Sequence, residues 1–272
     1  MKFILANTAA LLACGMTMAD EVKPQECCTN AFKYNFTTEV SLYDFADGDI
    51  TAFTPKFTYA ASDKFTVGAS LPLYNDNNTS FSAQEFAWQL NDGINGVSGT
   101  GLGDLDLFFT YNIFDGKCCF LKTDKASIDI TGGIKAPLDG VYSSSDPVFY
   151  VGGSADLTWG SFTLAQTFSY SFVTDYTYSP LFGGFVNSDL YGGVTTVSYK
   201  ANDKLTVSVN ANQEYFGSDN FGTNYAFLLG PAVAWDFNKN TTLKVGIDFP
   251  IAYDAQSADL NTVFTAGIGF EF

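Results

Sequence analysis

The sequence contains no histidine and no arginine, and all 13 of its basic residues are lysine. Histidine is the side chain whose ordinary pKa suits a general base near neutral pH, so its absence speaks against hydrolase or acyltransferase chemistry. We therefore predict no enzyme, no catalytic residue and no cofactor. The formal net charge of −16 leaves no basic surface to neutralise phosphates, which excludes nucleic acid as a partner.

Long apolar runs and charged residues are also scarce. After the N-terminal region, no stretch approaches the roughly 20 consecutive apolar residues that a transmembrane helix needs. Charged residues form 15% of the chain, well below the share of about 25% in ordinary soluble proteins. The composition instead includes 17% aromatic residues and 25 glycines. A closed β-barrel is the other structure that can cross a membrane, and this composition favours it.

The N-terminus predicts a secretory signal peptide. Lys2 precedes a short apolar region, and residues 17–19 form a small-x-small cleavage site. Residues 1–19 would then be removed, and residues 20–31 would form a polar, periplasmic lead-in. An alternative is that Leu11–Cys14 acts as a lipobox, whose cysteine would carry a lipid.

The last twelve residues, NTVFTAGIGFEF, alternate between two kinds of side chain. Alternate residues of a strand face opposite sides, so one face of this strand suits hydrocarbon and the other suits water. The strand resembles the C-terminal strand of bacterial outer-membrane barrels, which ends on phenylalanine. That resemblance implies that the barrel-assembly machinery recognises a signal on its apolar face. The signal would consist of Phe264, Ile268, Phe270 and Phe272.

From residue 32 onward the chain reads as about twelve alternating segments of about ten residues, which is typical of a transmembrane barrel. Short turns, such as 61–64 and 201–204, alternate with long polar links, such as 75–102 and 178–188. Residues 32–272 are therefore predicted to form an all-β, antiparallel, up-and-down β-barrel of about twelve strands in the bacterial outer membrane. Both termini and the short turns would be periplasmic. A soluble periplasmic β-sandwich is the alternative, and it predicts purification without detergent.

The same alternation assigns charged side chains to the lumen. Because carboxylates outnumber ammonium groups among them, a water path would have a negative potential and favour cations. Asp104 and Asp106 could in principle form a catalytic pair, but charged networks inside barrels are normal. The predicted inward-facing charged residues are Lys33, Glu39, Lys56, Asp104, Asp106, Asp129, Lys135, Asp156, Glu214, Asp236, Lys244, Asp248 and Glu271.

The longest link, residues 75–102, contains apolar residues at helical spacing between Ala83 and Leu90. This pattern predicts a short amphipathic helix, with Phe86, Trp88 and Leu90 as candidates for a constriction. The helix either folds into the mouth of the barrel or rests on its rim as a lid.

Four cysteines of the mature chain form two adjacent pairs, Cys27-Cys28 and Cys118-Cys119, and both pairs are predicted on the periplasmic side. In an oxidising compartment we expect one or two disulfides that fasten the lead-in to the turn after the fourth strand. The sequence leaves the pairing open. A tetrathiolate metal site is the alternative, although adjacent cysteines do not match the usual CxxC spacing.

Three motifs in the first half of the chain resemble one known family. VGASLP at 67–72, SGTGLGDL at 98–105 and GGIKAP at 132–137 are similar, in this order, to the outer-membrane family named for the meta-pathway of phenol degradation. The resemblance implies transport of small, often aromatic or hydrophobic compounds. We therefore predict a passive channel for small molecules through an acidic lumen. The alternative is a closed barrel that acts as a structural or surface-interaction protein.

Overall fold

The computed structural model of the protein describes residues 33–46, 48–77, 99–138, 140–182, 184–186, 189–218, 222–254 and 260–272. Within these residues no helix is long and apolar enough to cross a membrane. Nearly all of them lie in strands. The elements are β1 (Lys33–Phe45), β2 (Gly48–Ala60), β3 (Phe65–Ser70), β4 (Leu73–Asn77), β5 (Gly99–Leu102), β6 (Leu105–Gly116), β7 (Lys125–Ala136), β8 (Val148–Trp159), β9 (Phe162–Phe172), β10 (Thr177–Ser179), the 3₁₀ turn η1 (Pro180–Phe182), β11 (Gly184–Val186), β12 (Leu190–Lys200), β13 (Leu205–Ser218), β14 (Gly222–Asn238), β15 (Thr241–Asp254) and β16 (Leu260–Glu271).

Two of the barrel strands are interrupted. β3 and β4 both pair with β2 and are separated only by Leu71 and Pro72, because proline has no N–H to donate to the ladder. β5 and β6 pair with β4 and β3 respectively, and they are separated by Gly103 and Asp104. The fourteen strands of the main sheet therefore act as twelve barrel strands.

The sheet closes on itself, since β1 pairs with both β2 and β16. Phe36 lies opposite Phe57 on one side and Phe270 on the other. Every pairing in the main sheet is antiparallel, and each described barrel strand has two neighbours except β5, which pairs only with β4. The prediction of an antiparallel, up-and-down barrel of about twelve strands is confirmed.

The exterior of the barrel is apolar. Large hydrophobic side chains on the outward positions of the strands are exposed, among them Phe57, Tyr111, Val233 and Phe264. Their sequence neighbours face inward and are mostly small or polar, as the period of two requires. An apolar band of this kind is what a lipid environment demands of a barrel.

The C-terminal strand lies as the alternation predicts. Phe264 is 46% exposed and Phe272 is 72% exposed, and the register places Ile268 and Phe270 on the same outward face. Pairing continues to the last residue, because the Phe272 amide donates a 2.8 Å hydrogen bond to the Tyr34 carbonyl. Recognition of this face by the assembly machinery stays a prediction.

The two ends of the barrel differ. Short connections at 61–64, 160–161, 201–204 and 239–240 gather at one end, which we call the turn end. The Asn202 side chain accepts hydrogen bonds from the amides of Lys204 and Leu205, which fixes one of these turns. The opposite end, which we call the loop end, carries the longer connections 137–147 and 173–189, as predicted, but it also carries the short connection 46–47 between β1 and β2.

One connection at the loop end folds inward. β10, η1 and β11 (177–186), which we call the plug hairpin, lie between β9 and β12, and β10 pairs only with β11 in the described sheet. Tyr178, Phe182 and Val186 are all buried. The prediction of a long polar link at 178–188 was wrong, because apolar side chains of this segment are buried inside the barrel.

Candidate functional site: a plugged lumen

The plug hairpin is held by aromatic packing against the barrel wall. The ring of Phe182 lies 4.8 Å from that of Phe216 on β13 and 6.2 Å from that of Tyr253 on β15, measured between centroids. The Tyr253 hydroxyl donates a 3.1 Å hydrogen bond to the carbonyl of Leu181. This end of the barrel therefore has a packed hydrophobic core.

Three tyrosines join the plug hairpin to the mouth of the barrel. Tyr178 lies 4.8 Å from Tyr74 on β4 and 4.8 Å from Tyr142 in the β7–β8 loop, while Tyr74 and Tyr142 are 5.4 Å apart. The Tyr142 hydroxyl donates a 2.8 Å hydrogen bond to the carbonyl of Gly99. Burial raises the pKa of Tyr142 to about 12, so this phenol is neutral at physiological pH.

Asp104, predicted to line the lumen, instead holds the β7–β8 loop. The Asp104 carboxylate is buried and accepts hydrogen bonds from the Ser143 hydroxyl at 2.6 Å, from the Ser144 amide at 2.8 Å and from the Ser144 hydroxyl. Both oxygens of the Asp104 carboxylate therefore accept hydrogen bonds from neighbouring residues, and Asp104 does not pair with Asp106. The strand break at Gly103 and Asp104 makes this geometry possible, since it releases Asp104 from the ladder.

A cavity of about 600 Å³, which we call the central chamber, lies directly beneath the plug hairpin. Pro180 and Leu181 of the hairpin line it, together with the carboxylates Glu39, Glu214 and Asp248. Among the described residues, each carboxylate accepts a hydrogen bond from one neutral donor. The donors are Ser41 to Glu39 at 3.3 Å, Ser179 to Glu214 at 2.8 Å and Asn212 to Asp248 at 2.5 Å.

A second cavity of about 420 Å³, which we call the turn-end chamber, lies between the central chamber and the turn end. Glu39 lines both cavities, so they meet at this residue. Lys56, Lys244 and Glu271 line the turn-end chamber together with Lys239 of the β14–β15 turn. The lumen is therefore not uniformly acidic, because the lysines gather near the turn end.

The remaining predicted lumen residues form a polar network on β6–β8. Asp106 accepts a 2.8 Å hydrogen bond from the Tyr150 hydroxyl and interacts electrostatically with Lys135. Asp129 accepts a 2.8 Å hydrogen bond from Asn112, and Asp156 lies close enough to interact with Asp129.

Lys56 and Asp236 occupy other positions on the inward face. The Lys56 ammonium lies 4.6 Å from the ring centroid of Phe108, which faces the lumen. Asp236 accepts a 2.6 Å hydrogen bond from Thr242 near the turn end. The backbone of Lys33 pairs with Ala60 at the start of β1, and its side chain lies outside the described part of the structure.

Several predicted site residues lie outside the described residues. These are the constriction candidates Phe86, Trp88 and Leu90 and the lead-in cysteines Cys27 and Cys28. The constricting element in the described part is the plug hairpin, which the sequence analysis missed. A signal was present, since the predicted polar link contains Leu181, Phe182, Phe185 and Val186.

The two described cysteines have opposite environments. Cys118 is buried with Ala126 and Leu157, and its amide donates a 2.9 Å hydrogen bond to the Thr123 hydroxyl. Cys119 is exposed and has a free thiol. Among the described residues no group of three or more His, Cys, Asp or Glu side chains could hold a metal ion.

Comparison with solved structures shows which known folds resemble this one. The structure titled "NanC porin structure in rhombohedral crystal form" matches with a TM-score of 0.55 at 11% identity, over 86% of this chain and 98% of that one. The chain has a porin-like fold. The KdgM porin matches with a TM-score of 0.48 at 12% identity, over 88% of this chain and 99% of that one. No protein-family model matches the sequence, and no curated protein matches it.

Proposed function

We propose that this porin-like barrel is a passive channel for small molecules in the bacterial outer membrane, and that the plug hairpin is its gate. The observation that carries this proposal is the pair of chambers that meet at Glu39 and end beneath Leu181 of the hairpin. The apolar exterior supports the membrane location, since such a surface would be costly in water. The turn end would face the periplasm and the loop end the outside.

The plug hairpin has the properties of a movable element. Its two strands pair with each other, so it could leave the lumen without breaking the hydrogen-bond ladder of the barrel. Its attachment depends on side-chain contacts, chiefly Phe182 with Phe216 and Ser179 with Glu214. A gate needs two states of similar free energy. The side-chain contacts that hold the hairpin are few, so contacts with solvent or with the loops of the loop end could replace them in an open state.

Two solute classes are supported by particular residues. The carboxylates of the central chamber favour cations over anions. Leu181, Leu228 and Val263 give its upper part an apolar surface, which favours the aromatic or hydrophobic compounds implied by the family resemblance. A small solute that has both an apolar and a cationic part would satisfy both surfaces.

A planar-bilayer measurement tests the channel. The wild-type protein should insert and show mostly closed events, with a cation-selective reversal potential in a KCl gradient. A variant in which a Gly-Ser linker replaces residues 177–186 should show a larger and steadier conductance, since the packed segment is gone. If the folded linker variant shows no current across many insertions, the proposal is contradicted.

The second candidate function is a closed barrel with a structural or surface-interaction role. The close packing of the plug hairpin favours it, because Phe182 and Val186 are buried as completely as residues of a soluble core. The same recordings separate the two functions. The closed barrel predicts no current for the wild type at any voltage.

A further inference from the structure

Positive charge is segregated along the barrel axis. Lysine is the chain's sole cationic side chain, since arginine and histidine are absent. The loop-end connections 137–147 and 173–189 contain no lysine. Exposed lysines lie instead in the turn-end connections between β2 and β3, between β6 and β7 and between β12 and β13, namely Lys64, Lys117, Lys122 and Lys204. The first and the last of these connections lie on opposite sides of the ring, so the positive charge surrounds the turn end.

These four lysines are available to a partner, because none of them forms an ion pair with a carboxylate of the described residues. The ion pairs at this end are Lys125–Asp115 at 3.9 Å and Lys200–Asp203 at 3.6 Å. Asp63 and Asp124 are the further carboxylates of the same connections, so unpaired lysines remain in excess. The turn end is therefore positive on a chain whose formal net charge is −16.

Exposed aromatic rings lie next to these lysines on the outer wall. Phe65 directly follows Lys64, and Tyr199 is the penultimate residue of β12. Other exposed rings close to strand ends at the turn end are Tyr34, Phe162, Phe237 and Phe272. Aromatic side chains of membrane barrels gather at the level of the lipid headgroups. The neighbouring lysines are therefore expected at that level, just outside the hydrocarbon.

The β6–β7 connection (117–124), which we call the outer flap, folds over the outside of the barrel. Alternation places Ala126 on the same outward face of β7 as Ile130, which is 45% exposed. Ala126 is nevertheless buried, because it packs with Cys118 of the flap and with Leu157, its neighbour on β8. The outer flap therefore covers wall positions that would otherwise face lipid.

The tip of the outer flap is fixed, yet its aromatic ring is exposed. The Lys122 amide donates a 3.3 Å hydrogen bond to the Cys119 carbonyl. The Trp159 ring donates a 3.0 Å hydrogen bond to the Leu121 carbonyl. Phe120 lies within this turn and is 81% exposed. A large apolar ring with this exposure is unfavourable in water and favourable at a membrane interface.

We propose that the turn end binds the headgroups of anionic phospholipids in the surrounding leaflet, and that the outer flap inserts Phe120 into the same leaflet. The ammonium groups of Lys64, Lys117, Lys122 and Lys204 would contact lipid phosphates. A lipid layer surrounds the whole barrel, whereas one folded partner would cover only one side, so the spread of the lysines favours lipid. The inference rests on the membrane location in the proposed function and does not depend on conduction.

Electron paramagnetic resonance of spin-labelled lipids tests this inference on the full-length protein in phosphatidylcholine bilayers. Lipids next to the barrel give an immobilised component, whose size measures their association with the protein. Spin-labelled phosphatidylglycerol should associate at least about twofold more strongly than spin-labelled phosphatidylcholine, because lysines near a membrane surface attract anionic lipid. This preference should fall as salt concentration rises, since salt screens exposed charges.

A triple variant removes lysines of the turn end and should abolish most of the preference for phosphatidylglycerol. Its changes are Lys117→Gln, Lys122→Gln and Lys204→Gln. The matched control removes the same total charge from inward positions and should keep the preference, because the barrel wall separates these side chains from the headgroups. Its changes are Lys56→Gln, Lys135→Gln and Lys244→Gln. Circular dichroism and migration on unheated SDS gels would establish that both variants are folded.

A fluorophore on Cys119 tests the position of Phe120. The Cys119 thiol is free and exposed and directly precedes Phe120, so bimane attached there reports the surroundings of the outer flap. Spin-labelled phospholipids should quench this bimane, and Phe120→Ala should reduce the quenching. Quenching by aqueous iodide with none by the labelled lipids would place the outer flap in water and overturn its insertion.

The outcomes separate this inference from the channel proposal. Equal association of the two labelled lipids, or a preference that the turn-end variant keeps, would overturn the inference even if the protein conducts. A preference for phosphatidylglycerol that depends on the turn-end lysines, in a protein that never conducts, would support the inference and reject the channel. The absence of any immobilised lipid would reject both, because the protein would not be in the bilayer.

Discussion

The hydroxyl of Ser179, on the plug hairpin, donates a 2.8 Å hydrogen bond to Oε1 of Glu214, on the barrel wall. A hydrogen bond to a charged group contributes about 1.5–3 kcal/mol. This contact therefore joins the plug hairpin to one of the carboxylates that line the central chamber. Loss of the hydroxyl should loosen the hairpin and change the charge environment of the chamber at the same time.

Ser179→Ala should raise the ratio of open to closed channel by about tenfold or more, since about 1.4 kcal/mol corresponds to a factor of ten. Open probability in single-channel recordings measures this ratio. Thr196→Ala is the control, because the Thr196 hydroxyl makes a 2.9 Å hydrogen bond to Asn210 within the wall, away from the hairpin. Equal open probability in the two variants would show that Ser179 does not hold the gate.

Phe182→Ala should release the plug hairpin more strongly than Ser179→Ala. Truncation of a buried phenylalanine to alanine costs about 3–5 kcal/mol, and here the lost packing is that against Phe216 and Tyr253. Access of a small, membrane-impermeant thiol reagent to a cysteine introduced at Thr265, which lines the central chamber, would report the opening. Phe120→Ala is the matched control, since Phe120 is 81% exposed at the turn end. No change in reaction rate for Phe182→Ala would contradict a gate held by this ring.

Asp104→Ala should free the β7–β8 loop without breaking the barrel. The carboxylate accepts hydrogen bonds from both Ser143 and Ser144, and its removal leaves buried donors without an acceptor. Hydrogen exchange of the Ser144 amide should accelerate by at least about tenfold, while amides in β12 and β13 keep their protection. Asp115→Ala removes an exposed carboxylate at the other end and should leave this amide protected.

Gly68→Ala should destabilise the barrel by about 1–3 kcal/mol through a clash inside the lumen. A Cβ at position 68 would lie 2.2 Å from the Cζ atom of Phe108, so the ring would have to move away from Lys56. Thermal unfolding in micelles measures the loss. The double variant Gly68→Ala/Phe108→Ala should lose less stability than the sum of the losses in the two single variants, because the clash is absent from it. If the two losses simply add, this clash is not the cause.

The two described cysteines should differ in reactivity. We expect Cys119 to react with maleimide in the folded protein, because its thiol is free and exposed. Cys118 is buried, and we predict that it forms the bridge to Cys27 or Cys28 in the lead-in. Non-reducing peptide mass spectrometry identifies the pair. Closing a loop of this length contributes about 4 kcal/mol on the chain-entropy estimate, so reduction of the disulfide should lower the thermal stability of the barrel. A bridge that contains Cys119 in place of Cys118 would reverse the assignment.

Local alternation was enough to predict the barrel. Phe264 and Phe272 on one face and Gly267 and Gly269 on the other define both the outer surface and the lumen, because a strand has only two faces. Turn residues such as Asn202 set the strand boundaries. The closed ring then follows from the need to pair every backbone group in a lipid environment.

The plug hairpin could not be predicted from the alternation of apolar and polar side chains. Its strands are three residues long, and η1 interrupts them, so they show no period of two. Its position depends on contacts with residues far along the chain, such as Tyr74 and Tyr253. Alternation assigned Asp104 to the inward face, but it could not predict the hydrogen bonds of Asp104 to the β7–β8 loop. It also does not give the position of a residue along the barrel axis, so the gathering of lysines in the turn-end chamber was not predicted.

The seam of the barrel joins β1 to β16, and its last hydrogen bond is made by the final residue of the chain, Phe272, with Tyr34. The ring therefore cannot be completed until both β1 and β16, which are more than 200 residues apart in the sequence, are available to pair. Contacts between opposite ends of a chain form late, because loop closure costs the most entropy there. The joining of β1 to β16 is consequently the step that converts an open sheet into a ring, and loss of the Phe272 amide would remove one hydrogen bond from that junction.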